Sequence, residues 1–194
     1  MSFMLLGILN SQAAGGGAVG DYNLLETVEV ASTASSITFS SLSAYATDYK
    51  HLQIRAVTRD TRAISGANNV IMRFNGDSGA GNYYHLHYLK GSDSSVSAGS
   101  EGDASYILPY TEPSANDTTN AFGAAVIDLL DPFNSNKYTT SRSIRGLNLD
   151  AQYSTQSGLV SGLWYNTAAL TSITFQPIVG SFSANSRLSL YGVK

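Results

Sequence analysis

Residues 69–89, NVIMRFNGDSGAGNYYHLHYL, decide the fold. Val70, Met72 and Phe74 alternate with Ile71, Arg73 and Asn75. Beyond a glycine-rich break, Tyr84, Leu86 and Tyr88 alternate with Tyr83, His85 and His87. Period two on both sides of the break predicts two strands, with Tyr83, His85 and His87 on the outer face of the second. The break, residues 75–82, is built from Asn, Gly, Asp and Ser, which tolerate positive φ. Its length predicts an exposed loop with a shape of its own at one end of a sheet, not a tight two-residue turn.

The same alternation recurs outward from this centre. Leu24, Thr27, Val28 and Val30 lead through a Ser-rich turn to Ile37 and Phe39, and Tyr45, Asp48 and Tyr49 fall in a short helical or Ω-like connection. Leu52, Ile54 and Ala56 then face inward against His51, Gln53, Arg55 and Val57. Residues 91–104 read as an exposed loop, and Pro109 and Pro113 bracket a second one ending near Thr119. A strand follows over 122–129, stopped by Asp131-Pro132. Further strands are predicted over 141–149, 158–165, 172–176 and 188–193, with Trp164 a core anchor on a strand of small residues. Some nine strands without an amphipathic helix predict an all-β body, an antiparallel β-sandwich of jelly-roll type.

Two segments organise the chain. Residues 21–194 form the body, and residues 1–20 are an arm in which Phe3, Met4, Leu5, Leu6, Ile8 and Leu9 make an apolar plug tied on by Gly15-Gly16-Gly17. The plug is interrupted by Gly7 and is far shorter than the roughly 20 residues that span a bilayer, so no membrane partner is expected. A signal peptide and a frayed terminus compete with the docking arm. The first lacks a basic n-region, and the second would leave six large apolar side chains in water.

Composition narrows the function classes. The net charge is -3 with only 13% charged residues, and the Lys and Arg are scattered, so no nucleic-acid partner is expected. Cysteine is absent, which removes disulfide staples and thiolate chemistry. Nucleophile elbows, P-loops and HExxH helices are missing as well. His85-x-His87 lacks a third ligand in register, so no metal or cofactor is expected. The pairs Asp128 with Asp131 and Glu101 with Asp103 are the only candidates for glycosidase carboxylates, and both fall where solvated or turn-forming acids are usual. Asn75, Asp77, Asn82 and Tyr83 are the candidate contact loop for a host-surface glycan.

RFNGDSGAGNYYHLHYL, with ITFSSL at 37–42, YKHLQIRA at 49–56, FGAAVIDLLDPFNSNKYTT at 122–140, SGLWYNTAALTSITF at 161–175 and the C-terminal LSLYGVK, resembles a domain common in structural genes of tailed bacteriophages. The resemblance covers about residues 22–194. It implies a non-enzymatic virion protein, assembled in the host cytoplasm. Such a protein would be a small tail or baseplate appendage or a short-fibre head, docked on other virion proteins through the arm. Capsid decoration, a glycan-binding module and a glycan hydrolase are the alternatives. Appendage proteins of this kind are often homotrimers. Outward-facing Val57, Tyr83, Leu163 and Tyr165 agree with a closed oligomer that covers them.

Overall fold

The computed structural model describes residues 21–92, 95–149 and 156–194. The plug residues Phe3 to Leu9 and the side chain of His85 lie outside the described residues. The first strands are β1 (Tyr22–Glu29), β2 (Thr33–Ala34), β3 (Ile37–Phe39), β4 (His51–Thr58), β5 (Asn68–Phe74), β6 (Tyr83–Ser92) and β7 (Ser95–Glu101). They are followed by β8 (Ile107–Glu112), β9 (Gly123–Leu130), β10 (Thr139–Leu147), β11 (Gln156–Trp164), β12 (Ile173–Pro177), β13 (Phe182–Ser183) and β14 (Arg187–Val193). The one helical turn among the described residues, Leu42–Tyr45, lies in the connection expected as a short helical turn or an Ω-like crossing, and of Tyr45, Asp48 and Tyr49 it includes only Tyr45.

All named pairings are antiparallel. One sheet has eight strands in the order β1-β14-β4-β9-β10-β11-β6-β7, a second has four in the order β3-β12-β5-β8, and β13-β2 form a small ribbon. The chain passes between the two larger sheets at β3→β4→β5→β6, at β7→β8→β9 and at β11→β12→β14. β5 and β6 therefore do not pair, and the 75–82 loop carries the chain from one sheet to the other.

The sheets share one hydrophobic core, as period-two strands with one apolar face require. Leu52 and Ile54 of β4, Ile127 and Leu129 of β9, and Leu188 and Leu190 of β14 come from the large sheet. Phe39, Val70, Met72, Phe74, Ile107, Ile173 and Phe175 meet them from the small one. The inward phase of β4 is the one its alternation predicts, and on β9 Ala125, Ile127 and Leu129 take the inward side. Gly162 has its reason here, since a Cβ on it would lie 2.5 Å from Cγ2 of Ile107 across the interior. Gly192 likewise leaves room for the Tyr49 ring, 2.4 Å from where its Cβ would be.

Three expectations need correction. Residues 95–101, expected in a loop, form β7, an edge strand exposed along its whole length. With solvent on both faces it has no apolar alternation to display, and it is held by pairing with β6. Pro109, expected to open a loop, is buried in β8, where Leu108 and Pro109 stand opposite the single residue Ile71. An edge strand with a bulge is where a residue without an N–H is tolerated. Tyr83, expected on the outer face, is 0% exposed. Register shifts at residues 85 and 86, opposite Gly162, so Tyr83 and Tyr88 point inward while Tyr84 and His87 point outward. One extra residue reverses the parity that the alternation implies.

Candidate functional site

The 75–82 loop begins with a turn in which the Asp77 N–H donates to the Phe74 carbonyl (2.8 Å) and Asn75 and Gly76 both have positive φ (52° and 70°). Its polar groups are spent on the protein itself. Asn75 Oδ1 accepts from the backbone N–H of Thr171 (2.7 Å) and of Ser172 (3.1 Å), and its Nδ2 donates to the Ala169 carbonyl (3.0 Å). Asp77 accepts from Trp164 Nε1 (2.8 Å), the Gly79 N–H (2.9 Å) and Asn82 Nδ2 (2.8 Å). Tyr83 Oη accepts from the Phe74 N–H (3.0 Å) and donates to the Asp77 carbonyl (3.1 Å). Burial pulls the Asp77 carboxyl upward, but the bonds from Trp164, Gly79 and Asn82 outweigh it and hold the group below its ordinary value. The Tyr83 phenol is pushed up to about 12, chiefly by burial.

The four predicted contact residues are thus brought together, but as a clamp. Phe74, Tyr83 and Trp164 pack under it with centroids 5.6–6.4 Å apart, Tyr83 stacked on Trp164 and Phe74 tilted against both. Beside it the Tyr165 N–H donates to the Asn82 carbonyl (2.8 Å), and the exposed ring of Tyr165 meets that of Tyr138 edge-on at 5.7 Å. The aromatic surface at this end is therefore Tyr138 and Tyr165, and Tyr83 is no part of it.

The opposite end is closed by a buried arginine. Arg59 donates to four backbone carbonyls, those of Ala115, Asp117, Thr118 and Ala121, at 2.7–3.0 Å. Asp117 in turn accepts from the backbone N–H of Gly66 (2.7 Å) and of Ser114 (2.6 Å), which joins the 60–67 and 113–122 segments. Asp60 and Glu112 lie buried behind this weld. Asp60 is partnered by Arg62 and Ser114, whereas neither carboxylate oxygen of Glu112 has a hydrogen-bond partner. Burial, reinforced by the Asp60 charge, drives the Glu112 carboxyl well above its ordinary range.

The candidate acid pairs are engaged or open to water. Asp128 accepts from Gln53 Nε2 (2.8 Å) and Arg142 Nε (3.0 Å). Asp131 meets Lys137 Nζ at 2.8 Å, and its backbone N–H donates to His51 Nδ1 (2.9 Å). Lys137 and Asn134, whose Nδ2 donates to Asp131 Oδ2 (3.1 Å), hold its carboxyl below the ordinary value. Glu101 and Asp103 are exposed on and beside edge strand β7. No group of three or more His, Cys, Asp or Glu suited to a metal ion occurs among the described residues. His87 stacks on Tyr84 at 4.9 Å, outside the core.

What stands open is the outer face of the eight-stranded sheet. There Val126, Ile144, Leu159 and Leu89 lie directly opposite one another on β9, β10, β11 and β6, and Ala98 of β7 continues the row. Ile144 is 65% exposed, Leu159 52% and Leu89 49%. The row floors a groove of about 840 Å3. One polar row flanks it, Gln53–Asp128–Arg142–Ser161–His87–Ser100, each residue again opposite the next. Toward β1 the same face carries Tyr22 stacked on Tyr191 (4.9 Å), with the Arg55 guanidinium over both rings. This stripe escapes a reading strand by strand. Each strand contributes one outward apolar residue, which is unremarkable alone, and only the register makes them a surface.

No family model and no curated protein matches the chain. Among solved structures it is weakly similar to the enzymatically active domain of bacteriophage CBA120 tailspike protein 2, with 13% identity and a TM-score of 0.29. That alignment covers 95% of this chain but only 30% of the tailspike chain. The exoplasmic/lumenal domain of VIP36, in a form bound to Ca2+ and Man3GlcNAc, aligns over 90% of this chain and 84% of its own, with 7% identity and a TM-score of 0.23.

Proposed function

We propose that the chain is a non-enzymatic structural protein of a tailed-phage virion, a tail or baseplate appendage or short-fibre head. In this reading the body is a jelly-roll sandwich, residues 1–20 dock it on the particle, and it works there as a homotrimer. One observation carries it beyond the sequence resemblance. An open groove on the outer sheet face is floored by the apolar stripe Val126, Ile144 and Leu159, with Asp128, Arg142 and His87 along one flank. Exposed apolar area of this kind marks contact with protein. Deleting residues 1–20 should leave a folded body that no longer enters particles. Truncated protein recovered at wild-type occupancy would sink the reading. Counting copies in purified particles separates a few appendages from the hundreds expected of capsid decoration.

A second reading, recognition of a host-surface glycan, is favoured by the exposed Tyr138–Tyr165 pair beside Asn82. Rings presented at a loop end offer the flat apolar faces on which sugars stack. Under this reading Tyr165→Ala abolishes adsorption of particles to cells without lowering the amount of protein on the particle. Unchanged adsorption would end it.

A further inference from the structure

We propose that Arg145 and Lys90 form a binding site for an oxyanion, the phosphate or carboxylate group of a ligand, on the inner face of the eight-stranded sheet. The site rests on neither the docking arm nor the outer stripe.

Register assembles the pair. Arg145 of β10 stands opposite Ala125 of β9 on one side and Gly158 of β11 on the other, and Gly158 stands opposite Lys90 of β6. Arg145 is in the inward phase of its strand, two residues from buried Ser143. The two cations are therefore two strands apart, about 10 Å between Cα atoms, with no side chain between them. Both are long enough to converge over that gap. Arg145 reaches into it, since its Nε lies 3.5 Å from where a Gly158 Cβ would be, and Lys90 Cβ lies 3.3 Å from the same point. Lys90 Nζ stands 5.3 Å from the centroid of the Tyr88 ring on the same face. One step along the face to either side lie Ser143, Val160 and Tyr88, and Leu147, Gln156 and Ser92, none of them acidic.

Burial without a partner sets this arginine apart. Arg59 and Arg145 are 9% and 8% exposed, but Arg59 spends its guanidinium on four carbonyls. Arg145 Nε is buried with no hydrogen-bond partner, and its guanidinium enters no ion pair among the described residues. Burial alone draws the Arg145 pKa below its ordinary value, with no carboxylate to offset it. A guanidinium keeps its proton in proteins, so what this position lacks is an anion. An anion can reach it from the β7 side. The four-stranded sheet ends at β8 and β7 is exposed along its whole length, while Gly158 and Lys90 are half-buried and Ser97, opposite Lys90, is open to water. The guanidinium fork matches the paired oxygens of a phosphate or carboxylate, and the ammonium adds a point charge on the other flank.

The test titrates the full chain, isotope-labelled, with inorganic phosphate and separately with glucuronate, at an ionic strength held constant with sodium chloride. The Arg145 Nε–Hε signal and the Gly158 and Lys90 amides should move saturably, in the millimolar range, with at least one of the two anions. Whichever binds more tightly tells a phosphate ligand from a carboxylate one. Arg145→Met keeps the aliphatic stem and removes the fork, and the Gly158 and Lys90 responses should vanish with it. Lys90→Gln changes a half-buried side chain, so the fold is kept, and the affinity should fall several-fold; this variant decides the matter if Arg145→Met does not fold. Signals unmoved by both anions, an equal response to sodium chloride alone, a response that survives Arg145→Met, or an affinity unchanged in Lys90→Gln would each overturn the site.

Discussion

Asp77→Ala should be among the most damaging loop substitutions in this protein, although the residue sits in a glycine-rich loop. The carboxylate accepts from Trp164 Nε1, whose side chain is 1% exposed, and from Gly79 and Asn82 nearer the surface. Removing it leaves the indole N–H buried without a partner, which costs about 2 kcal/mol. Loss of the two outer bonds, weakened by water, adds about 1 kcal/mol. For a chain of this length each kcal/mol lowers Tm by about 2–4 °C, so Asp77→Ala should melt about 6–12 °C lower. Asp77→Asn keeps an acceptor oxygen for the indole and should cost about 1 kcal/mol. The specific readout is a double-mutant cycle with Trp164→Phe, in which the two changes should couple by more than 1 kcal/mol. Acid adds a check of sign. Because the folded carboxyl lies below its ordinary 3.8, its contribution is complete above that pH and is lost as pH falls through the depressed value. Asp77→Asn should lack this acid limb. Additive effects of Asp77→Ala and Trp164→Phe, or a loss under about 0.5 kcal/mol for Asp77→Ala, would refute the clamp.

Glu112 has the opposite sign. Its folded carboxyl is raised above 4.5, so stability should fall as pH rises from about that value, by up to about 1.4 kcal/mol per pH unit until the folded group ionises. Glu112→Gln should flatten that slope and raise Tm at neutral pH, as denaturation over a pH series would show. Arg59→Ala strands four carbonyls and should cost about 3 kcal/mol by urea titration, and Arg59→Lys, a point charge on a flexible stem, should recover less than half of it. Gly162→Ala drives a methyl into Ile107 and should cost about 1–3 kcal/mol, with Ile107→Val as the relieving second change. Changing His85 and His87 together to Ala should leave melting in zinc or chelator unaltered, and a zinc-dependent rise lost in the double variant would show a metal site.

The inward faces were legible because each lies within one strand. Leu52, Ile54 and Ala56 on β4 announce their side by alternation alone, and all are buried. Bulges were illegible for a physical reason. An extra residue at 85 and 86 costs the sequence no apolar position, yet it reverses every face beyond it, so Tyr83 moves from supposed contact to core. Pro109 is the same case on β8, since its buried side chain and missing N–H fit a bulged edge, but the residue type alone signals a loop. Strand β7 was missed because pairing with β6, not side-chain burial, holds it.

The candidate surface lies a level beyond these. Val126, Ile144, Leu159 and Leu89 come one each from four strands separated by loops of different length, so no single strand displays the row. Moving β10 by one residue against β9 and β11 would bury Ile144 and expose Ser143 and Arg145 in its place, erasing the stripe without changing the composition of any strand. Register at this point is held by the core beneath. Ser143, on the inner face, donates to the Pro109 carbonyl (2.6 Å), and Gly162 accommodates Ile107. The outer stripe is therefore positioned by contacts on the other side of the sheet. Gly162→Ala accordingly becomes a test of register as well as stability: if it shifts β11, the methyl signals of Leu159 and Leu89 on the outer face should move although the substitution lies on the inner face.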